Sequence, residues 1–66
     1  MTDDEMLDDI AHKLTGYFKG DEKKVTIWFH APNPMFGFMS AKNLIDLGRI
    51  ERVWQCINNA LEGNHP

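Results

Sequence analysis

A single cysteine, Cys56, is all the thiol this chain holds, so no disulfide can close within it. A reducing, cytoplasmic setting is therefore expected. No apolar run approaches the roughly 20 residues of a membrane-crossing helix, and no membrane association is expected. The start, MTDDEML, is acidic where a targeting leader would be basic and then apolar, so no leader is expected. Repeats and low-complexity tracts are missing too. Gly37 and Gly48 fit none of the glycine patterns that cradle phosphates. His12, His30 and His65 stand far apart, none beside a carboxylate or nucleophile at a telling spacing. Cys56 could meet a histidine only through folding. A metal site needs three or four ligands, which one cysteine and scattered histidines do not supply. The expectation is a protein that is not an enzyme and has no cofactor or metal. Cys56 reads as a small buried residue of the last helix.

What is present describes a folded domain. With 42% hydrophobic and 26% charged residues, the composition is globular and not that of a disordered tail. Sixty-six residues make one domain, spanning 1–66. A chain this short buries only about 60% of its unfolded surface. Without covalent staples, a homodimer or another protein partner is an expected source of stability. Charge is unevenly placed. Residues 1–22 hold seven acids against Lys13 and Lys19, a balance of −5, while residues 23–66 hold five bases against three acids, a balance of +2. The net −3 disfavours a phosphate backbone as the main partner, so nucleic acid is not the expected ligand.

The pattern predicts a small all-α domain of four helices. In TDDEMLDDIAHKLTGYFKG, Thr2 and Glu5 fit a capping box, and Asp3, Asp4 and Glu5 suit the helix dipole. Leu7, Ile10, Leu14, Tyr17 and Phe18 give its apolar stripe, and Gly20 is a natural stop. DEKKVTIWFHA is ambiguous. Asp21 could cap a helix with Val25, Trp28 and Phe29 inward, yet Val25, Ile27 and Phe29 also alternate as in a strand. No second strand-like segment could pair with it, so a helix ended by Pro32 is expected. PNPMFGF is a turn-rich loop, with Pro34 fixing one φ and Gly37 able to supply a positive one. Ser40 caps a short helix, AKNLIDL, with Leu44, Ile45 and Leu47 apolar and Gly48 its end. Arg49 begins the last helix, RIERVWQCINNAL, whose inward face is Ile50, Val53, Trp54, Ile57 and Leu61. A polar tail, 62–66, follows.

Two surfaces stand out. The segment Asn33–Met39 crowds Met35, Phe36, Phe38 and Met39 around one glycine, and so small a core cannot take all four. Exposed methionine and phenylalanine beside a stiff turn would make a docking patch; the alternative is that all four close the core, and the loop can also do both. On the last helix Arg52, Gln55 and Asn59, with Asn58 beside them, lie opposite the core positions. Such side chains read base edges, and a short helix, a glycine turn and a polar helix look like a helix-turn-helix. Only Lys42, Arg49 and Arg52 stand near as phosphate contacts, fewer than DNA readers use. A DNA-binding or transcription-modulating module is thus the alternative to a protein-binding domain, and a small adaptor protein is a further one. Trp28 and Trp54 read as core residues and the acidic run Asp3–Asp9 as a solvated helix face.

The ordered set Trp28-Phe29, Pro32-Asn33-Pro34-Met35-Phe36-Gly37, Ser40 to Arg49, then Val53, resembles the toxin-binding domain of the Xre/MbcA/ParS antitoxin family. Members carry a Trp-Leu-like pair, a Pro-Asn-Pro-x-Leu-Gly-Gly loop, a Ser/Thr-Pro helix start, a Leu-Leu or Leu-Ile pair, a Gly-Arg or Gly-Glu turn and a valine. The likeness covers roughly residues 25–61, with 1–24 as helix and lead-in. Three residues depart from it. Phe36 stands for the usual leucine, Phe38 for the second glycine, and Ala41 for the proline that would preorganise the helix start. The helix-turn-helix region that usually precedes the domain does not fit in 66 residues, so a stand-alone toxin-binding-type domain is expected. The resemblance implies a partner: a toxin of the RES fold that consumes NAD, bound and masked by the antitoxin, partly through its C-terminal segment. It gives a role to Asn64, His65 and Pro66, and makes Arg49 and Arg52 candidate contacts. Together with the two surfaces, the partner-binding residues expected are Asn33, Phe38, Met39, Arg49, Arg52, Gln55, Asn59 and His65.

Overall fold

The computed structural model describes residues 1–61; the polar tail and His65 lie outside the described residues. The described residues form four α-helices: α1 Asp3–Tyr17, α2 Glu22–His30, α3 Ala41–Asp46 and α4 Ile50–Leu61, with a 3₁₀ turn at Pro34–Phe36. No strand occurs among the described residues, so the strand-like alternation of Val25, Ile27 and Phe29 gives way to helix. Asp21 decides this locally, since its side chain accepts the Lys24 amide hydrogen at the start of α2. The radius of gyration, 11.4 Å, is close to the roughly 11 Å of a compact chain this long.

Helix starts follow the sequence closely. The Thr2 hydroxyl accepts from Glu5 N at 3.2 Å, and the Glu5 carboxylate accepts from Thr2 N at 2.8 Å, which completes the capping box. Ser40 Oγ accepts from Asn43 N and starts α3. Two helices end in Schellman turns. After α3, Arg49 N donates to Leu44 O and Gly48 N to Ile45 O, with Gly48 at φ +80. After α1 the same pair of bonds runs from Gly20 N to Thr15 O and from Lys19 N to Gly16 O. Here the left-handed position falls on Lys19, one residue before the glycine that the sequence offered as the stop. Arg49 lies in the α3–α4 turn, and α4 starts at Ile50, one residue later than expected.

The core is a narrow seam. Met6, Ile10 and Leu14 from α1 meet Ile50, Val53 and Ile57 from α4, with Phe36, Ala41 and Leu44 closing one end. α1 packs mainly on α4, and α3 packs on both α2 and α4. The α1 stripe therefore runs through Met6, which the pattern of apolar residues passed over, and not through Leu7 and Tyr17. Leu7 is 39% exposed and lines a side groove with Phe29 and Ile45; Tyr17 is 62% exposed. Tyr17 falls on the inward angular position, but it sits in the last turn of α1, where α4 and Trp28 leave an open groove. Leu47, the last apolar position of the expected helix AKNLIDL, is 61% exposed, because α3 ends at Asp46 and the turn carries it away. Leu61 is exposed as well, at the end of α4. α2 lies at the edge of the bundle, so Val25, Trp28 and Phe29 are half-buried and none is fully covered. Trp28 meets Phe36 edge-on, with ring centroids 6.3 Å apart.

A polar clamp holds α1 to α4. Trp54 Nε1 donates to Asp9 Oδ2 at 2.7 Å, and Lys13 Nζ stands 2.8 Å from the same oxygen. Lys13 also donates to Asn58 Oδ1 and lies 5.9 Å from the Trp54 ring centroid. Trp54 is therefore half-buried, with its N–H engaged. Asn58, placed by the sequence on the outer face, turns inward to Lys13.

Candidate protein-docking surface

The loop between α2 and α3 is short and heavily braced. Asn33 anchors it: the side-chain oxygen accepts from Met35 N at 2.9 Å, and the main-chain oxygen accepts from Phe36 N and Phe38 N, each at 2.9 Å. Asn33 N donates to Met39 O at 3.1 Å, closing an antiparallel bridge. Gly37 N reaches Pro34 O, and Met39 N reaches Phe36 O. Pro34 starts the 3₁₀ turn and Gly37 leaves it at φ +65. The Asn33 side-chain oxygen is thus used up in shaping the turn.

This turn sorts its four apolar side chains. Phe36 is buried in the core at 4% exposure. Met39 is half-buried and lines a hollow of about 260 Å³ with Asn43, Asp46 and Leu47. Met35 and Phe38 stand outside, 61% and 73% exposed. Phe38 has φ +66, a left-handed conformation that costs a bulky L-residue about 1–2 kcal/mol. Gly37 and Phe38 are therefore left-handed in succession.

The second surface meets the loop through Met35. Its carbonyl accepts from Arg52 Nη2 at 3.2 Å, and its sulfur lies 3.7 Å from the Cys56 thiol. Met35, Phe36, Arg52, Gln55, Cys56 and Asn59 line a shallow hollow of about 190 Å³. The structure thus brings Arg52, Gln55 and Asn59 together with the loop's Met35, a residue absent from those expected to touch a partner. No local signal singles out Met35, because which of the loop's apolar side chains turns inward is fixed by the helices that meet it. Phe38 and Met39 lie further along the same loop, and Arg49 is exposed at the α3–α4 turn. Gln55 Nε2 is 3.4 Å from a Glu51 carboxylate oxygen.

Burial pushes the Cys56 thiol up, with Arg52 opposing, so it stays protonated at neutral pH and is a poor nucleophile. No group of three or more His, Cys, Asp or Glu able to hold a metal occurs among the described residues. No described helix is long and apolar enough to cross a membrane. No protein-family model, curated protein or solved structure matches the chain.

Proposed function

We propose that this is a non-enzymatic protein-binding domain, antitoxin-like, that binds and masks a toxin through the Asn33–Met39 loop and the adjoining outer face of α4. The observation that carries this reading is the braced loop itself: a seven-residue turn stiffened along its length leaves Met35 and Phe38 in water. Exposed apolar side chains on a rigid support bind with little ordering cost, which is how interface anchors act. Support for the kind of partner comes from the motif resemblance, which points to a RES-fold toxin. The DNA-reading alternative draws less support. Arg52 is engaged by a loop carbonyl, Gln55 by Glu51, and Asn58 faces α1, so few polar groups of α4 remain to meet base edges.

The test is affinity capture with the tagged chain from its own cells, the retained proteins being identified by mass spectrometry. One stoichiometric partner of the RES fold is expected. Retention of duplex DNA at low salt, lost in Arg52→Ala with Gln55→Ala, would instead establish the nucleic-acid alternative.

A further inference from the structure

The proposed docking surface contains one residue that the fold itself does not explain. Phe38 is 73% exposed, more than any other described aromatic side chain, and it sits at φ +66. Either feature alone disfavours phenylalanine there. The exposed ring gains little from folding, and the left-handed backbone crowds its Cβ. Glycine would hold the same turn without strain, since the bonds that brace Phe38 run through its main chain: Phe38 N donates to Asn33 O. A strained, exposed aromatic on an over-determined loop is where a functional contact is expected.

We infer that Phe38 is the anchor of this surface, seating in a ring-sized apolar pocket of a protein partner whose rim carries carboxylates. This rests on the protein-binding reading above. The rim is assigned from charge. Arg52 is fastened over the loop by the Met35 carbonyl, and Arg49 stands exposed at the head of α4. Nearby, Lys42 is matched by Asp46 at 2.9 Å, while Glu51 meets Gln55; by formal charge Lys42, Arg49 and Arg52 exceed Asp46 and Glu51 by one, which leaves the surface cationic. The acids that make the whole chain negative, Asp3, Asp4, Glu5 and Asp8, are carried by α1 instead. Acidic groups on the partner would be drawn to the arginines and repelled by the acids of α1. An exposed aromatic on a loop that Arg52 also touches would suit a stacked base of single-stranded nucleic acid, but the net −3 opposes a polyanion.

The experiment compares wild type, Phe38→Gly and Arg49→Glu in two measurements. Thermal melting comes first. Phe38→Gly is expected to melt about 4 °C or more above wild type, because strain is relieved and no packing is lost. A melting point below wild type would show that the ring supports the fold and would overturn the inference. Binding is then measured against the RES-fold protein recovered by affinity capture, with a single-stranded dT oligomer as counter-probe. Phe38→Gly is expected to bind the protein at least about 30-fold more weakly. Arg49→Glu is expected to lower the association rate and reduce its salt dependence. If Phe38→Gly binds as wild type does, the anchor is wrong while the protein-binding reading stands. If wild type captures no protein, both fail. Phe38-dependent binding of the dT oligomer would overturn the choice of a protein partner.

Discussion

Asp9 serves two donors at once, and its titration should report on the clamp between α1 and α4. The hydrogen bond from Lys13, then that from Trp54, hold its carboxyl below the ordinary value, against a smaller opposing effect of desolvation. A carboxyl depressed in the folded state stabilises the fold above its unfolded pKa of about 3.9, and that stability fades as pH falls through the folded value. Asp9→Asn should therefore lower the melting temperature at pH 7, and the gap from wild type should close as the pH drops below about 4. A gap that stays constant with pH would mean that the carboxylate charge contributes nothing. Trp54→Phe keeps an aromatic ring but leaves Asp9 one donor short, and a lower urea midpoint is expected at pH 7. This clamp was not legible in the sequence. Asp9 and Lys13 stand four apart on α1, as a helix pair would, but only the packing of α1 against α4 brings Trp54 and Asn58 to them.

At the scale of elements, the local signals were strong and the structure follows them. Thr2, Asp21 and Ser40 cap the helices they were expected to start, because a side-chain oxygen at that position satisfies amides that the helix cannot. The ends were less legible where the turn consumed residues. The Schellman turn at Gly48 takes in Leu47 and Arg49, so one apolar residue expected within α3 is outside it and one basic residue precedes α4. Gly48→Ala should cost about 1 kcal/mol or more, since φ +80 strains any side chain even though a Cβ there would meet open space. Lys19→Gly at the matching turn of α1 should stabilise by about 0.5–1 kcal/mol for the opposite reason. Denaturant midpoints of the two variants, moving in opposite directions, would check both. Asn33 and Gly37 were legible as turn formers. Which of Met35, Phe36, Phe38 and Met39 goes inside was not, since that depends on Trp28 and Leu44 arriving from other helices.

For the molecule as a whole, the balance among the described residues is between a nine-residue seam of buried apolar side chains and eight large hydrophobics left at least a third exposed. A domain of this length has roughly 3–10 kcal/mol of stability in total. Ile10→Ala, at a fully buried position, should remove about 2–5 kcal/mol and leave a substantially unfolded chain at 37 °C, visible as lost helical circular dichroism. Substitutions at Phe38 or Met35 should leave helicity intact, because those side chains lie outside the seam. That contrast separates what folds the domain from what it presents. The helical class and the exposed outer face of α4 could be read from periodicity, whereas the joining of that face to the loop through Arg52 and Met35 is a tertiary fact. The most direct test of the proposed role is turnover of NAD by the captured RES-fold partner while the chain is titrated in. Inhibition that saturates at a fixed stoichiometry is expected, whereas full NAD consumption at saturating chain would contradict a masking antitoxin.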